Sequence, residues 1–266
     1  MPSTQIITHR GLEPSKKDFY PESSFEAFQD QLKRGFGIEF DPNFTKDGIV
    51  VWHDATFERF SGKRLPTFDE VMDLIRKSSS KINALHFKGK YQNPEDTKLL
   101  IERLKKNFDV LPKILIFDVK PETAAILLEA FPDLQLSPSV AHQHDVYRFN
   151  STVAETLIET SVAEKMLKDG IFGKYPWVWL DEWDLEDKER GEKKLYTREV
   201  FDKMRAARAK IALVTPELHG TSPGLYGGES HPDSKDQETL FKRIKEIIDL
   251  QPDAICTDYP EEVLSL

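Results

Sequence analysis

Short apolar runs alternate with amphipathic helical patterns along the whole of this 266-residue chain, and no other feature constrains its fold as tightly. A strand followed by a helix, many times over, requires parallel strands joined by right-handed crossovers. The apolar runs number eight if residues 49–52 (IVVW) form the return arm of a hairpin after the second strand. Eight such units favour a closed (β/α)8 TIM barrel over an open sheet. The eight runs are QIIT, IEF, ALHFK, ILIFD, LQLSPSV, WVWL, IALVT and AICTD.

Helix start signals stand between the predicted strands. In a capping box, a Ser or Thr side chain caps the helix and a Glu three residues later reciprocates. After the fifth strand we expect a polar loop and then a helix over residues 154–167 (AETLIETSVAEKML). The composition does not shift along the chain, so we expect a single domain over residues 1–266. The capping-box pairs are Ser23 with Glu26 and Thr67 with Glu70.

The charge balance of the chain limits the partners that it can bind. A formal charge of −9 and a pI of about 5.4 argue against nucleic acids and anionic membranes, which require a broad basic surface. No apolar run approaches the roughly 20 residues of a membrane span. The N-terminus leads into a strand without the apolar core of a signal peptide, and Cys256 is the only cysteine. We therefore expect a cytoplasmic protein without disulfides.

Two acidic side chains share one face of the second predicted strand. Glu39 and Asp41 are two residues apart, and alternate residues of a strand point to the same side. A turn signal at residues 47–48 and the apolar return arm then bring His53 back beside the two acids. Unpaired charges inside a closed barrel are costly, and a divalent cation would offset that cost. Carboxylate oxygens suit magnesium, calcium or manganese.

Further charged side chains follow the ends of other strands, where the active site of a barrel enzyme lies. The third strand, ALHFK, places His86 and Lys88 on one face. Each of these residues alone is commonplace, but together they supply the acids, imidazoles and cations that metal-assisted phosphoryl chemistry needs. The other strand-end residues are His9 and Arg10 after the first strand, Asp118 after the fourth, Asp181 after the sixth, Glu217 after the seventh and Asp258 at the end of the eighth.

Five motifs, in order along nearly the whole chain, resemble the glycerophosphodiester phosphodiesterase family. They are THRG, PESS, GFGIEFDPNFTKDGIVVWHDATFER, LPTFDEVM and ICTDYPEEVL. The resemblance implies a metal-dependent TIM-barrel phosphodiesterase. A metal, cationic side chains and an imidazolium match the charges that develop on the phosphoryl oxygens and on the leaving alkoxide. By position, the resemblance makes His9 and His53 the general acid/base pair, Glu39 and Asp41 metal ligands, and Arg10 and Lys88 the holders of the phosphate oxygens.

The chain departs from the pattern of this family in two places. Where the family has a third acidic ligand in an E-x-K strand, this chain has His86 ahead of Lys88, so the site carries one negative charge less unless Asp118 compensates. We expect His86 to be the third metal ligand; the alternative is that it only hydrogen-bonds a ligating carboxylate. Only residues 55–65 separate the HD motif from the next helix, so the usual insertion there is nearly absent.

The short insertion means that the substrate headgroup must be held by other segments. We predict that Asp181 and Glu217 contribute to substrate binding, and that the loop over residues 220–236 closes over the site as a lid. Trp179 is expected to pack in the core rather than to line the headgroup pocket.

The favoured function is therefore cleavage of a small phosphodiester that carries a polar headgroup. Water can attack the phosphorus, or a neighbouring hydroxyl of the substrate can do so, as in the lyase relatives that form cyclic phosphates. A catalytically weak protein that binds a phosphosugar or a phospholipid headgroup is the alternative from another functional class, and the altered third ligand motivates it.

Overall fold

The structure is a computed structural model that describes residues 4–53, 64–150, 156–182, 186–187, 191–192, 194–216 and 236–266. Within these residues, three short 3-10 turns join some of the helices and strands: His9–Gly11, Gly89–Tyr91 and Phe108–Lys113. The described strands are β1 (Gln5–Thr8), β2 (Gly37–Phe40), β3 (Pro42–Thr45), β4 (Gly48–Val51), β5 (Asn83–His86), β6 (Ile114–Phe117), β7 (Gln135–Leu136), β8 (Ser139–Ala141), β9 (Ile158–Glu159), β10 (Trp177–Asp181), β11 (Glu186–Asp187), β12 (Gly191–Glu192), β13 (Lys210–Val214) and β14 (Ala254–Thr257). The described helices are α1 (Phe25–Lys33), α2 (Phe68–Lys77), α3 (Pro94–Lys106), α4 (Pro121–Ala130), α5 (Gln143–Asn150), α6 (Thr160–Lys168), α7 (Arg198–Ala206), α8 (Gln237–Asp249) and α9 (Pro260–Ser265).

Parallel strands close into the barrel that the sequence predicts. The hydrogen-bonded order runs β7-β6-β5-β2-β1-β14-β13-β10-β8. β7 and β8 are the two halves of the fifth barrel strand, and Pro138 between them has no N–H to donate. The first half pairs with β6 and the second half with β10, so this one strand joins the two ends of the sheet. The predicted (β/α)8 fold is confirmed.

The predicted hairpin after the second barrel strand is also confirmed. β3 and β4 pair antiparallel, with Pro42 opposite Val51 and Thr45 opposite Gly48. The Trp52 N–H then donates to the Asp41 carbonyl at 2.9 Å, which returns the chain to the end of β2. Residues 54–63, which follow the hairpin, lie outside the described part of the chain.

Strand alternation sorts the apolar side chains into two cores. Ile38 and Phe40 of β2 belong to the larger cluster, which also contains the buried faces of α1 and α2. Ile7 and Leu115 belong to a second cluster with Trp179 of β10, and this cluster fills the interior of the barrel. Each fully buried side chain of this size contributes roughly 1.5–3 kcal/mol. Glu39 alternates with Ile38 and Phe40, so it points to the interior side.

The capping predictions are right at one helix and wrong by one residue at another. Thr67 and Glu70 form the complete capping box at α2. At α1 the cap is Ser24, whose side chain accepts from the Ala27 N–H. Ser23 cannot serve, because it lies in the left-handed region with φ 55 and donates its N–H to the Arg10 carbonyl.

The prediction for the segment after the fifth strand is partly wrong. A helix, α5, replaces the expected polar loop, and the expected helix begins only at Thr160. Ile158 and Glu159 instead form β9, with Ile158 opposite Val140 of β8. The pairing overrides the helical pattern because a branched residue beside an open strand edge gains ladder hydrogen bonds. No helix among the described residues is long and apolar enough to cross a membrane.

Candidate active site

The first part of the site along the chain is the turn over His9–Gly11, directly after β1. Arg10 lies in the left-handed region at φ 53 and ψ 22, which is uncommon for a residue other than glycine. Its N–H donates to Oε2 of Glu39 at 3.1 Å, and its carbonyl accepts from the Ser23 N–H at 2.8 Å. Gly11 follows at φ 71, where an added Cβ would lie 3.1 Å from helix α1. The turn is therefore fixed against both β2 and α1.

The end of β2 presents two acids that are almost completely buried. Glu39 is 3% exposed and Asp41 is 1% exposed. The strand can approach its neighbour because residue 37 is glycine: a Cβ there would lie 2.1 Å from the Ile82 carbonyl oxygen. Burial, and then the charge of Asp41, raise the pKa of Glu39 to about 7. Two acids confined in this way repel each other until a cation joins them.

Asp41 uses only one of its two oxygens within the described structure. Oδ1 lies 2.9 Å from Nδ1 of His86 and 3.2 Å from Nζ of Lys88. Burial alone would raise the pKa of Asp41, but the Lys88 ammonium and the His86 hydrogen bond hold it well below its usual value. Oδ2 is buried and has no hydrogen-bond partner among the residues that the structure describes.

The His86 ring is fixed on both edges and on one face. Nε2 lies 3.3 Å from Oδ2 of Asp118, opposite the contact with Asp41. The ring stacks on Phe117 at 4.6 Å between centroids, and Phe117 stacks on Trp179 at 3.9 Å. Burial lowers the pKa of His86, but the hydrogen bonds to Asp118 and Asp41 outweigh it and raise the pKa to about 9. Trp179, 2% exposed, packs in the core as expected.

The other two histidines of the site have different surroundings. Nδ1 of His9 lies 3.3 Å from Oδ1 of Asp258, a buried residue directly after β14. His53 follows the hairpin. Burial, and then the positive charge of Arg10, lower the pKa of His53 to about 2, so its ring is neutral. His9, Arg10 and Asp41 all influence His53 electrostatically, so the four groups share one site.

Asp118 and Asp181 extend the site across the barrel mouth. Asp118 lies in the left-handed region at φ 68, and its Oδ1 accepts from the Thr156 hydroxyl at 2.6 Å. The Gln92 amide holds the Asp118 carbonyl at 2.6 Å. Burial, and then the charge of Asp118, raise the pKa of Asp181 to about 7. A strained, buried residue held by several contacts is typical of a functional site.

The donor set fits a divalent cation. Glu39, Asp41 and His86 each offer one ligand atom, and the three atoms lie within 4.8 Å of one another. Neighbouring ligand atoms of a six-coordinate cation with bonds near 2.1 Å are about 3 Å apart. The 2.9 Å between Nδ1 of His86 and Oδ1 of Asp41 therefore fits a hydrogen bond and also fits two atoms that bind the same cation. The buried Oδ2 of Asp41 is a donor that a cation would satisfy.

Comparison with known proteins identifies the family. The profile of the glycerophosphoryl diester phosphodiesterase family matches residues 9–171, which include every residue of the cluster around Glu39. The chain belongs to this family. Among curated proteins, the glycerophosphodiester phosphodiesterase of Caldanaerobacter subterraneus subsp. tengcongensis is 31% identical over a match that covers 40% of this chain and 55% of that protein. The chain therefore spans little more than half the length of this curated relative.

Solved structures of the glycerophosphoryl diester phosphodiesterase family share the fold over nearly the whole chain. The glycerophosphoryl diester phosphodiesterase of Parabacteroides distasonis aligns with a TM-score of 0.60 and 19% identity, covering 99% of this chain and 85% of that one. The glycerophosphodiester phosphodiesterase of Agrobacterium tumefaciens aligns with a TM-score of 0.58 and 16% identity, covering 98% and 99%. At such identities the likeness concerns the fold alone.

Seven of the predicted site residues lie together in this member of the glycerophosphoryl diester phosphodiesterase family. Asp181 is coupled to them through Asp118. Glu217 and residues 220–235 of the predicted lid lie outside the described residues. Sequence reasoning missed Glu22 and Thr156; the PESS motif holds the first, but its spacing suggested only a helix cap. The seven residues are His9, Arg10, Glu39, Asp41, His53, His86 and Lys88.

Proposed function

We propose that the protein hydrolyses a small glycerophosphodiester-type phosphodiester with the help of a divalent cation. The observation that carries the proposal is the single cluster in which Glu39 and Asp41 lie beside Arg10 and Lys88. Two confined acids suit a cation, and two adjoining cations suit a phosphate. Membership of the glycerophosphoryl diester phosphodiesterase family supports the reaction class.

The two histidines supply the proton transfers in this proposal. His53 accepts the proton of the attacking water as it adds to phosphorus; burial and the charge of Arg10 keep its pKa low and its ring neutral, and the negative charge of a bound phosphodiester would raise that pKa. As the ester P–O bond breaks, His9 donates a proton to the leaving alcohol oxygen. Oδ1 of Asp258 lies 3.3 Å from Nδ1 of His9, and its negative charge stabilises the charged form of that ring. The products are an alcohol and a phosphate monoester.

The remaining charges of the site hold the substrate. In this proposal Arg10 and Lys88 bind the non-bridging phosphate oxygens, which is supported by the effect of Arg10 on Glu39 and by the contact of Lys88 with Asp41. Glu39, Asp41 and His86 would hold magnesium, calcium or manganese, which would polarise a phosphoryl oxygen when bound. Asp118 then orients His86 through its second nitrogen, the usual arrangement of a ligating histidine. Among the described residues, Asp181 is the candidate for binding the hydroxyl groups of the headgroup.

A panel of glycerophosphodiesters and sugar phosphodiesters, assayed after EDTA treatment and with each divalent metal, tests this function. We expect no turnover without metal and turnover of at least one polar headgroup with it. Phosphorus NMR of the first products separates a phosphate monoester from a cyclic phosphate. Full activity of the metal-free protein, or tight binding of every substrate without turnover, would refute the proposal. The expected cytoplasmic location stays a prediction that cell fractionation can check.

A further inference from the structure

The backbone of Arg10 is constrained on both sides. Its left-handed backbone is held at the N–H by Glu39 and at the carbonyl by Ser23. Ser23 is itself left-handed, with φ 55, so two strained turns of the chain meet at this hydrogen bond. Backbone strain of this kind costs roughly 1–3 kcal/mol per residue and persists only where surrounding contacts impose it. These contacts fix the backbone of Arg10, but its long side chain needs a separate anchor.

Glu22 provides that anchor. Its Oε2 lies 3.4 Å from Nη1 of Arg10, and the two side chains are only 10% and 6% exposed. Its other oxygen, Oε1, is buried and has no hydrogen-bond partner among the described residues. Within that part of the chain, Arg10 is therefore the partner of a buried carboxylate that is otherwise unsatisfied.

This pair is a poor way to stabilise a fold. Burying two charges costs several kcal/mol per ion, and good geometry with further hydrogen bonds is needed to recover it. Glu22 lacks those further bonds, whereas Glu13 nearby has them from Gln31, Lys16 and Arg34. An arrangement that contributes little stability yet fixes one guanidinium points to positioning.

We propose that Glu22 is a positioning residue, which aims the Arg10 guanidinium at the phosphate oxygens of the substrate. The inference rests on the proposed function, because it gives a purpose to the phosphate contact of Arg10. Glu22 does not touch the substrate. A guanidinium recognises phosphate by paired N–H donors in a fixed plane, so a fixed plane is what Glu22 contributes.

Inorganic phosphate binding, measured by titration calorimetry with magnesium present, tests the role without relying on turnover. The variants are Glu22→Gln, which keeps the shape and removes the charge, Glu22→Asp, Arg10→Ala and the double variant. Glu26→Gln, which changes an exposed glutamate in the first turn of α1, four residues further along the chain, is the matched control. The same proteins are assayed for kcat and KM, and their thermal unfolding checks the fold.

We expect Glu22→Gln to weaken phosphate binding and to lower kcat/KM by up to about 100-fold, the scale of a misplaced binding group. Glu22→Asp should fall between it and wild type. In the Arg10→Ala background, Glu22→Gln should cause no further loss, because its effect passes through Arg10. Glu26→Gln should match wild type. Where Glu22→Gln does not fold, Glu22→Asp and its double variant decide by the same comparisons.

Two results would overturn the inference alone: phosphate affinity that drops in Arg10→Ala but not in the Glu22 variants, or losses that add in the double variant. A different result reaches further. If Arg10→Ala itself binds phosphate normally, the phosphate role of Arg10 in the proposed function is wrong, and the role of Glu22 falls with it.

Discussion

Asp41 and Glu182 occupy equivalent places on opposite sides of the barrel and are treated in opposite ways. Each is a buried carboxylate one residue past the end of a barrel strand, β2 or β10. Glu182 uses both oxygens: Oε1 accepts from Arg243 at 2.8 Å, and Oε2 accepts from the N–H groups of Leu195 and Tyr196 at 2.6 and 2.8 Å. In Asp41, Oδ1 contacts both His86 and Lys88, whereas Oδ2 has no hydrogen-bond partner among the described residues.

The comparison distinguishes a carboxylate that stabilises the fold, Glu182, from one that is available for binding or catalysis, Asp41. A buried acceptor without a partner costs about 1–3 kcal/mol, so a fold does not retain one for stability. The surroundings agree with this contrast. Tyr196, whose N–H donates to Glu182, also donates its hydroxyl to the Val214 carbonyl. Near Asp41, Glu39 lies close enough for the two charges to repel.

The largest effect should come from the histidines on the Asp41 side. His9→Ala and His53→Ala should each lower kcat by about 100- to 10,000-fold, the range of a lost general acid or base. Steady-state kinetics on the best substrate measure this, and circular dichroism should show an unchanged fold. His144→Ala, a histidine on α5, is the control and should keep wild-type kcat. Wild-type kcat in either site variant would remove that histidine from the mechanism.

Metal binding should depend on the acids of β2 and not on Glu182. Glu39→Gln and Asp41→Asn should each weaken magnesium or manganese binding by more than about 100-fold, because one ligand and one charge are lost together. Calorimetric titration of the metal into EDTA-treated protein gives the affinity directly. Without metal, Glu39→Gln should not lower the free energy of unfolding, since burial and the charge of Asp41 already raise the pKa of Glu39 to about 7, so its charged form does not stabilise the fold. Normal metal affinity in both variants would contradict the assigned site.

The free energy of unfolding should depend on Glu182 and not on the metal-binding role of the acids of β2. Glu182→Ala should lower the free energy of unfolding by about 3–5 kcal/mol, because it leaves Arg243 buried without its main partner. Glu246 also contacts Arg243, at 3.4 Å, but is exposed, so Glu246→Ala should cost at most about 1 kcal/mol. Urea unfolding measures both. The metal affinity of the Glu182 variant should equal that of wild type. A large loss would contradict the conclusion that Glu182, unlike Asp41, serves only the fold.

The smallest effect concerns the choice of metal. If His86 is a ligand, His86→Glu should shift the preference from manganese toward magnesium or calcium by about tenfold, since a carboxylate suits a hard cation better than imidazole does. Parallel titrations with magnesium and manganese measure the ratio of affinities. If the ratio does not move, His86 only orients Asp41, and water or Asp118 completes the metal site.

The sequence predicts more of the strands than of the contacts among charged residues. All eight barrel strands and the hairpin follow from apolar runs, because a barrel strand must bury both faces. The segment around Ile158 defeats the same reasoning, since its pairing with β8 depends on distant residues. The shared face of Glu39 and Asp41 follows from strand alternation, and their role as a site follows only from the joint pattern with the histidines and cations. Glu22 is not, because its role depends on two left-handed residues whose backbone no local pattern reveals.

The split fifth strand has a consequence for the shape of the entrance. Beyond Pro138 the chain leaves β6, and β9 takes the vacated edge of β8, so the rim of the barrel contains one extra rung between its fourth and fifth strands. Thr156, just before that rung, reaches Asp118. The rim therefore carries an additional short strand on the His86–Asp118 side of the site. A change in β9 would reach His86 through Thr156 and Asp118.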